Sequence, residues 1–303
     1  MRKGENMKFS IVDAFTDNLF GGNPAGVVVL PDGMDFPTDN IMVKTAAELR
    51  YSETAFIKKL REDRFQIRYF TPAAEVDLCG HATIASFYTL LNQGMVKSGK
   101  TYINETLAGE LAIVVNENSI LMDMGDPEIF ETIPQGEPME KLYQIMGIEA
   151  ADQGICDKYP ELELLPKKVS TGLIDIMMPV RNEEALAKIN PDFHALTELS
   201  KKYDVVGVHA FTVNAKDGKI HARNFAPLYE IDEEAATGTS NGALTYYLYD
   251  YGIVKLDQTN MVIQGEKMGR PSKITTKIVK EGDQEKVKVG GFAITLATGE
   301  INI

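Results

Sequence analysis

The chain has 303 residues, of which 44% are apolar, and its formal net charge is −13 at pH 7. A chain of this length can bury most of its surface, as one large domain or as two of ordinary size. The excess of acidic side chains disfavours nucleic acid and anionic membranes as partners, because both would be repelled. Short apolar runs and an N-terminus without a signal-peptide core predict a cytoplasmic protein that does not enter a membrane.

The cysteine pattern disfavours a metal centre. Cys79 and Cys156 are too few for a disulfide framework, and no CxxC or HxxxH spacing accompanies them. The glycine-rich strings GxGxxG and GxxxxGKS, which cradle dinucleotides and nucleoside triphosphates, are absent as well. We therefore expect a site without a metal or an organic cofactor.

Strand patterns dominate the first half of the chain, in short segments rich in Val, Ile and Phe. In chain order these segments are KFSIVDAF, AGVVVL, ETAFIKKL, RFQIRYF, ELAIVVNE and SILMDMG. Helical spacing predicts one helix from the N-cap Thr38 to Arg50, and a second that follows His81 and stops at Gly94. The proline-rich, acidic region from about 130 to 165, with one helix near MEKLYQIMG, is typical of a connector between domains.

Part of the sequence is repeated. The segment RYFTPAAEVD at 68–77 returns as RNFAPLYEID at 223–232, an offset of 155 (223 − 68). After a three-residue insertion the match resumes from Gly80 and Gly238, at an offset of 158 (238 − 80). If each half wraps a sheet around the helix that begins there, the two helix N-termini can face one cleft. Their unpaired N–H groups and partial positive charge suit a small carboxylate.

Five stretches lie in order along nearly the whole chain: DAFTDNLFGGNPAGVVVL (13–30), YSETAFI (51–57), YFTPAAEVDLCGHAT (69–83), AATGTSNGAL (235–244) and QGEKMGRPS (264–272). Together they resemble the PhzF family of isomerases, named for a phenazine-biosynthesis enzyme, within the diaminopimelate epimerase-like fold. The resemblance implies an α+β fold of two pseudo-symmetric domains. Each domain would be a mixed, mostly antiparallel sheet wrapped around a central helix, with the site between the domains.

The same resemblance implies the domain limits and the assembly. The first half would comprise residues 1–128, completed by the C-terminal strand 290–303, and the second half residues 129–289. Members of the family are commonly homodimers, and they use no metal or organic cofactor.

The resemblance also implies the catalytic residues. Glu53 of SETAF corresponds to the family's catalytic carboxylate, and drying would raise its pKa enough to make it a proton shuttle near neutral pH. His81 would contact the substrate and assist proton transfer, and Glu234 stands where the family has an aspartate. From the residues alone, a solvated strand-edge glutamate and an ordinary histidine at a helix start remain open readings.

Substrate binding is implied for a second set of residues. These are Asn23, Gly80, Gly238, Thr239 and Ser240, which would hold the carboxylate of a small substrate.

Cys79 departs from the pattern of the related epimerases, in which one cysteine from each domain acts as a base. The position before Gly238 is Thr237, and a hydroxyl cannot replace a thiolate base without an activating neighbour. A cysteine-pair racemase is therefore disfavoured, and we interpret Cys79 as a small buried apolar residue.

The predicted function is a cofactor-independent isomerase of the PhzF type that shifts a proton and a double bond on a small carboxylate. Two alternatives stay open: an epimerase or racemase of an amino or hydroxy acid, and a protein that binds small carboxylates without catalysis. Fold kinship alone does not choose among them.

Overall fold

The computed structural model describes residues 6–117, 119–154 and 158–302. The chain divides into two compact units, one comprising Met1–Asp123 with Gly290–Ile303 and the other Met124–Val289. Among the helices of the described residues, none has the length and apolar character needed to cross a bilayer.

The first unit is a mixed sheet with two helices. Its strands are β1 (Asn6–Ala14), β2 (Asn23–Val29), β3 (Thr54–Arg61), β4 (Arg64–Phe70), β5 (Glu75–Val76), β6 (Lys100–Thr106), β7 (Gly109–Val115), β8 (Ile120–Asp123) and β18 (Ala293–Asn302). Its helices are α1 (Asp39–Leu49) and α2 (Gly80–Asn92). The predicted N-cap Thr38 precedes α1, and Gly94, with φ of +71°, follows α2, so both predicted helices are confirmed.

The second unit has the same kinds of element and four helices among its described residues. Its strands are β9 (Glu128–Thr132), β10 (Lys167–Ser170), β11 (Ile174–Pro179), β12 (Gly207–Thr212), β13 (Ile220–Ala226), β14 (Ile231–Glu234), β15 (Thr259–Gln264), β16 (Ser272–Glu281) and β17 (Gln284–Gly291), the last of which ends in the first unit. Its helices are α3 (Glu137–Ile145), α4 (Glu183–Lys188), α5 (Phe193–Tyr203) and α6 (Gly238–Asp250). The predicted helix at MEKLYQIMG is α3.

The two units share one strand order. In the first unit the neighbours run β18, β1, β2, β3, β4, β6 and β7, and in the second β9, β10, β11, β12, β13, β15 and β16. Along both series the pairings are antiparallel, antiparallel, parallel, antiparallel, parallel and antiparallel. The C-terminal strand β18 pairs with β1. The α+β fold of two similar, mostly antiparallel halves is therefore present.

A buried helix forms the core of each unit. Along α2, His81 through Phe87 are buried without interruption, and α6 is buried in the same way from Gly238, except at Thr239, to Thr245. A helix whose side chains are apolar or small on all faces is expected to lie inside a domain rather than on its surface. The start of each central helix is consequently held in place by the sheet around it.

The repeated segment aligns differently in three dimensions than in the sequence. Tyr69 of β4 pairs with Val76 of β5, and Asn224 of β13 pairs with Glu234 of β14. Asn224 matches Tyr69 at an offset of 155 (224 − 69), but Glu234 matches Val76 at 158 (234 − 76). The three-residue insertion therefore lies in the 3₁₀ turn Pro227–Tyr229.

Two arginines support this alignment. Arg68 donates to both carboxylate oxygens of Glu75 at 2.6 and 2.5 Å, and Arg223 donates to both oxygens of Glu233 at 2.8 Å. Glu233 is thus the structural equivalent of Glu75, at an offset of 158 (233 − 75). The sequence match of Glu230 with Glu75 is wrong, because the insertion precedes β14 rather than α6.

Candidate active site

Three segments of the first unit meet at one edge of its sheet. β2 begins at Asn23, and β3 begins at Thr54, directly after Glu53. Because the two strands run parallel, with Gly26 opposite Thr54, their starts lie side by side. The helix α2, which begins at Gly80, packs against both strands. The fold therefore brings Asn23, Glu53 and the start of α2 together.

His81 is the centre of this cluster. Its Nδ1 lies 3.2 Å from Nδ2 of Asn23, and its Nε2 lies 3.2 Å from Oε2 of Glu53 and 3.3 Å from Oγ of Ser52. Sγ of Cys79 lies 3.4 Å from Nδ1 and 3.8 Å from Nε2. The side chain of His81 is 4% exposed and that of Glu53 is 17% exposed, so a ligand reaches the carboxylate more readily than the ring.

The side chain of Asn23 faces Nδ1 of His81, on the opposite side of the ring from Glu53. An amide nitrogen only donates, so Nδ1 of the neutral ring accepts from Asn23, and the ring proton lies on Nε2, facing Glu53. In the imidazolium form both ring nitrogens donate, and the amide oxygen of Asn23 becomes the partner after rotation of the amide. In either form the ring presents an N–H group to the carboxylate.

The ionisation of Glu53 differs from the sequence-based expectation. Burial by itself raises the pKa of the carboxyl group, but the close contact and positive charge of His81, with contacts from Ser52 and Cys79, together outweigh burial and lower that pKa. The expected rise of the Glu53 pKa is wrong for this arrangement. Glu53 is a carboxylate near neutral pH, which is the form that accepts a proton.

His81 and Cys79 respond to the same neighbours. Burial disfavours the charged ring, but the Cys79 sulfur and the Glu53 carboxylate raise the pKa of His81 well above its ordinary value. Burial, reinforced by the charge of Glu53, raises the pKa of the Cys79 thiol to about 11. Cys79 is therefore a thiol near neutral pH, so Glu53 supplies the negative charge that favours the imidazolium of His81.

One oxygen of Glu53 is left without an aligned donor. Within residues 6–117, 119–154 and 158–302, Oε2 is enclosed and receives no hydrogen bond of good geometry, although Nε2 of His81 is 3.2 Å away. A buried acceptor without a partner is uncommon and is often found at functional sites.

The start of α2 adds hydrogen-bond donors. The first bond of the helix runs from the N–H of Thr83 to the carbonyl of Cys79, at 3.0 Å. The N–H groups of Gly80, His81 and Ala82 precede that bond, and a hydrogen bond from the N–H of Ala82 acts to lower the pKa of the Cys79 thiol, against the larger effect of burial. Donors at a helix N-terminus stabilise negative charge, so the predicted position of Gly80 beside an anion is consistent with this geometry.

The predicted residues of the second unit lie around the start of α6. Glu234 ends β14, and its Oε2 accepts a 2.5 Å hydrogen bond from the hydroxyl of Thr237, the N-cap of α6. The amide of Gln264 donates to the carbonyl of Glu234 at 2.7 Å and to the Thr237 hydroxyl at 3.2 Å. Gln264 is completely buried, so it fixes both residues relative to the helix.

Ser240 does not offer its hydroxyl to a ligand. The hydroxyl donates to Oδ2 of the buried Asp175 at 2.5 Å, inside the second unit. The Ser240 hydroxyl is therefore already engaged, and the prediction that Ser240 binds substrate concerns its backbone N–H. Gly238 opens α6, and the carbonyl of Thr239 accepts from the hydroxyl of Thr171 at 2.9 Å.

The structure thus gathers the predicted residues in two groups, each at the start of a central helix. In the first unit these are Asn23, Glu53, Gly80 and His81, and in the second Glu234, Gly238, Thr239 and Ser240. The catalytic and binding roles of all eight stay predictions.

A comparison with protein families matches residues 12–299 to the family described as phenazine biosynthesis-like protein, PhzC–PhzF. The match covers both units and every residue of both groups. The chain belongs to the PhzC–PhzF family.

Relatives that are similar to this chain along nearly their whole length are named as isomerases. An uncharacterized isomerase of Clostridium acetobutylicum is 35% identical over 302 residues, covering 96% of each chain. The uncharacterized isomerase YfhB of Bacillus subtilis is 34% identical over 308 residues, covering 100% of each chain, and YddE of Escherichia coli is 32% identical, covering 95% of this chain and 96% of its own. The PhzC–PhzF chain is accordingly an isomerase.

Solved structures agree with the fold of the family. A PhzF-family phenazine biosynthesis protein of Bacillus anthracis superposes with a TM-score of 0.85 at 26% identity, covering 99% of this chain and 100% of its own. A hydroxyproline epimerase of Agrobacterium vitis superposes with a TM-score of 0.61 at 14% identity, covering 99% of this chain and 92% of its own. The second likeness shows the shared epimerase-like fold.

Three further residues lie beside the predicted site residues. Cys79 is buried and its thiol stays protonated, in agreement with its interpretation as a small buried residue, but its sulfur also lies 3.4 Å from Nδ1 of His81. Ser52 received no role, although it directly precedes Glu53, and Gln264 was quoted only as part of a motif. The spacing Cys79-x-His81 was the one available signal, because two residues apart at a helix start lie near each other. Cys156 lies outside the described residues.

Proposed function

We propose that the protein is a cofactor-independent isomerase in which Glu53 moves a proton between two positions of a small carboxylate substrate. The single observation that supports this most is the contact of 3.2 Å between Oε2 of Glu53 and Nε2 of His81. The contact supports the proposal because a carboxylate that can accept a proton lies in an enclosed site beside a ring that can orient it and balance its charge, and a positioned carboxylate is a common general base.

The proposed reaction begins with removal of a proton from carbon by the Glu53 carboxylate. The carbon must be acidified by an adjacent unsaturated or carboxyl-bearing group. Negative charge then develops on the substrate, and the N–H groups at the start of α2 stabilise it. Return of the proton at another carbon shifts the double bond.

His81 has a supporting role in this proposal. Its N–H group, held toward Glu53 by Asn23, orients the carboxylate and balances its charge. Once Glu53 has accepted a proton, the imidazolium loses its anionic partner, which favours delivery of the proton from Glu53 back to the substrate. A catalytic role of Glu234, which accepts a hydrogen bond from Thr237 at the start of α6, stays a prediction.

The test uses a panel of small unsaturated and cyclic amino and hydroxy carboxylates in D₂O, followed by proton NMR. We expect at least one compound to show a displaced double bond. Glu53→Gln should slow this reaction by at least about 10²-fold while leaving the dissociation constant nearly unchanged. Glu48→Gln, a change at an exposed residue of α1, is the matched control. Normal turnover by Glu53→Gln would contradict the mechanism.

An epimerase is the second candidate, and the Thr237–Glu234 contact is the observation that favours it. A carboxylate at 2.5 Å is the activating neighbour that a threonine hydroxyl requires to move a proton. An epimerase would introduce deuterium at one stereocentre with inversion, whereas a double-bond isomerase gives a new positional isomer. A protein that only binds carboxylates would show binding without exchange of any C–H group.

A further inference from the structure

A chain of buried hydrogen bonds ties the sheet of the first unit to the start of α2. Nδ2 of Asn104 donates to the hydroxyl of Tyr69 at 2.9 Å, and that hydroxyl lies 2.6 Å from Oγ1 of Thr83. Oγ1 of Thr83 donates its own proton to the carbonyl of Cys79, the N-cap of α2, at 2.7 Å. Because a hydroxyl has one proton, Tyr69 is the donor to Thr83. The chain therefore runs in one direction, from β6 through β4 to the N-cap carbonyl.

The second unit repeats the last step of this chain. Asn241 stands at the position of Thr83, at an offset of 158 (241 − 83), and its Nδ2 donates to the carbonyl of Thr237, the N-cap of α6, at 2.8 Å. A buried donor on the sheet would complete the chain, as Tyr69 does in the first unit. The strand residue that contacts the side chain of Asn241 is His209 of β12, which is completely buried.

The ring lies on a different strand in each unit. Tyr69 of β4 is opposite Ala55 of β3, and His209 of β12 is opposite Asn224 of β13. β3 and β12 occupy equivalent places in the strand order, as do β4 and β13. Each unit therefore has one ring and one smaller side chain on the same pair of strands, and in each unit the ring contacts the central helix.

The neighbours of His209 determine which of its nitrogens carries a proton. Burial lowers the pKa of the ring to about 4, against the opposing contacts with Asn224 and Asn241, so one nitrogen is unprotonated near neutral pH. Nδ1 lies 3.0 Å from the side-chain amide of Asn224. Among the described residues, Nε2 of His209 and Oδ1 of Asn241 are both enclosed without an aligned partner. Both atoms are satisfied when Nε2–H donates to Oδ1 and the Asn224 amide, with its oxygen and nitrogen exchanged, donates to Nδ1.

We propose that His209 is a positioning residue that fixes the start of α6 by donating from Nε2 to Asn241, as Tyr69 fixes the start of α2 through Thr83. The direction of the hydrogen bond rests only on contacts within the second unit. Its consequence for catalysis rests on the proposed function. The two claims therefore fail separately.

The chain continues from Asn241 to the predicted site residues at the start of α6. Nδ2 of Asn241 also donates to Oε1 of Gln264 at 2.6 Å. Gln264 in turn donates to the carbonyl of Glu234 and to the hydroxyl of Thr237, which donates to the Glu234 carboxylate. His209 therefore begins a directed chain of hydrogen bonds that ends at Glu234.

The first test is a two-bond ¹H–¹⁵N correlation spectrum of the histidine rings in ¹⁵N-labelled wild-type protein, with His209→Gln used to assign the ring. We expect His209 to be protonated at Nε2 alone near neutral pH. A ring protonated at Nδ1 alone, or at both nitrogens, would overturn the proposal.

Two substitutions then place a donor at different ends of the lost ring. His209→Gln puts an amide nitrogen near the place of Nε2 and keeps the donor to Asn241, whereas the shorter His209→Asn puts it near the place of Nδ1. We expect the backbone amide peaks of Gly238 and Thr239 to shift in His209→Asn and to stay close to those of wild type in His209→Gln. Equal shifts in the two variants would show that the donor at Nε2 is not what fixes the helix.

The deuterium-exchange assay, run well below the unfolding temperature of each variant, measures the consequence for catalysis. We expect His209→Asn to lose about 10-fold in kcat at a nearly unchanged KM, and His209→Gln to keep roughly half of the wild-type kcat. Tyr69→Phe removes only the donor hydroxyl of the first unit and should also lose about 10-fold. Tyr102→Phe is its matched control, because Tyr102 is a buried tyrosine of β6 whose hydroxyl accepts from the N–H of Lys97, and it should keep the wild-type rate.

The outcomes separate this inference from the proposed function. Equal rates in His209→Asn, His209→Gln and wild type would overturn the positioning role and leave the proposed function in place. If wild type exchanges no compound of the panel, the proposed function fails, and the two spectra still decide whether His209 fixes the start of α6.

Discussion

Arg223 donates hydrogen bonds of 2.8 Å to both carboxylate oxygens of Glu233, and the two side chains are 8% and 15% exposed. The remaining nitrogen of the guanidinium donates to the carbonyls of Leu186 and Ile189, at 3.0 and 2.8 Å. One side chain therefore joins β13 to β14 and also satisfies the C-terminal carbonyls of α4. The alignment of β14 determines where Glu234 lies.

Replacement of this arginine tests its contribution to stability. Arg223→Met leaves the Glu233 carboxylate nearly buried without its partner, which should lower the free energy of unfolding by about 3–5 kcal/mol. Arg68→Met is the matched change in the first unit, where Arg68 and Glu75 are 20% and 19% exposed and the second partner, Asp39, is 74% exposed. Its loss should be smaller, about 1–3 kcal/mol, because water reaches this pair more readily. Urea unfolding measures both, and equal losses would contradict the difference in burial.

Asp175 predicts a pH dependence of stability. Burial raises the pKa of this carboxyl group to about 6, against the opposing effect of hydrogen bonds from Ser240 and the N–H of Gly207. In the unfolded chain the pKa is about 3.9. Between about pH 4 and pH 6 the folded protein therefore binds more protons than the unfolded chain. The free energy of unfolding falls as the pH rises through this window, by about 3 kcal/mol in total.

Asp175→Asn separates this contribution from those of other carboxylates. The stability of the variant relative to wild type should increase by about 3 kcal/mol from pH 4 to pH 7 and change little above that. Ser240→Ala removes a hydrogen bond that lowers the pKa, so it should move the window to higher pH. Urea titrations at half-unit steps measure the curves. A constant difference between Asp175→Asn and wild type would show that Asp175 ionises as easily in the folded protein as in the unfolded chain.

The sequence predicted the parts of the site that depend on local patterns. The start of α2 at Gly80 and the placement of Glu53 at the beginning of a strand follow from strand, turn and capping signals. The contacts of His81 with Asn23 and Glu53 could not be predicted in the same way, because they depend on the parallel register of β2 and β3 and on the packing of α2 against both strands. The pairing register of two strands that are distant in the sequence cannot be deduced from either strand's residues alone.

The sequence predicted the pKa of Glu53 less well than it predicted the position of this residue. The expectation for Glu53 considered burial alone, and burial does act in the expected direction. His81 reverses the outcome because its N–H group and charge are only 3.2 Å from the carboxylate. The helices α4 and α5 were also missed, although Asn182 and Asp192 cap them with side-chain hydrogen bonds.

Gln264 is expected to support the predicted site residues at the start of α6. It is completely buried, its amide donates to Glu234 and Thr237, and its oxygen accepts from the N–H of Thr237 and from Asn241 at 3.2 and 2.6 Å. Gln264→Leu leaves these buried groups without partners, which should cost about 2–4 kcal/mol of stability. It should also weaken binding of the carboxylate panel, because the start of α6 loses its support.

Gln258→Leu is the control for this change, since Gln258 is exposed and its substitution should alter stability by no more than about 0.5 kcal/mol. Urea unfolding gives the stability, and isothermal titration calorimetry gives the affinity. If Gln264→Leu unfolds earlier but binds carboxylates as tightly as wild type, Gln264 supports the fold without positioning a ligand site.

Gly22 connects the backbone of the first unit to the orientation of His81. Its φ is +63°, and a Cβ atom added there would lie 2.1 Å from the carbonyl oxygen of Ala14. Gly22→Ala must therefore both strain the backbone and displace the segment that leads into Asn23, so we expect a stability loss of at least about 3 kcal/mol. Gly33→Ala is the matched control, because its φ is +80° but no atom lies within 4 Å.

The control should lose only about 1–2 kcal/mol, which is the cost of the left-handed conformation alone. The two variants should also differ at the site: Gly22→Ala moves Asn23 and should slow deuterium exchange, whereas Gly33→Ala should not. Exchange rates measured well below the unfolding temperature of each variant separate this effect from unfolding. Equal stability losses would mean that the backbone before Asn23 can move at little cost in free energy. The orientation of His81 would then have to come from Ser52 and Cys79, which contact the same ring.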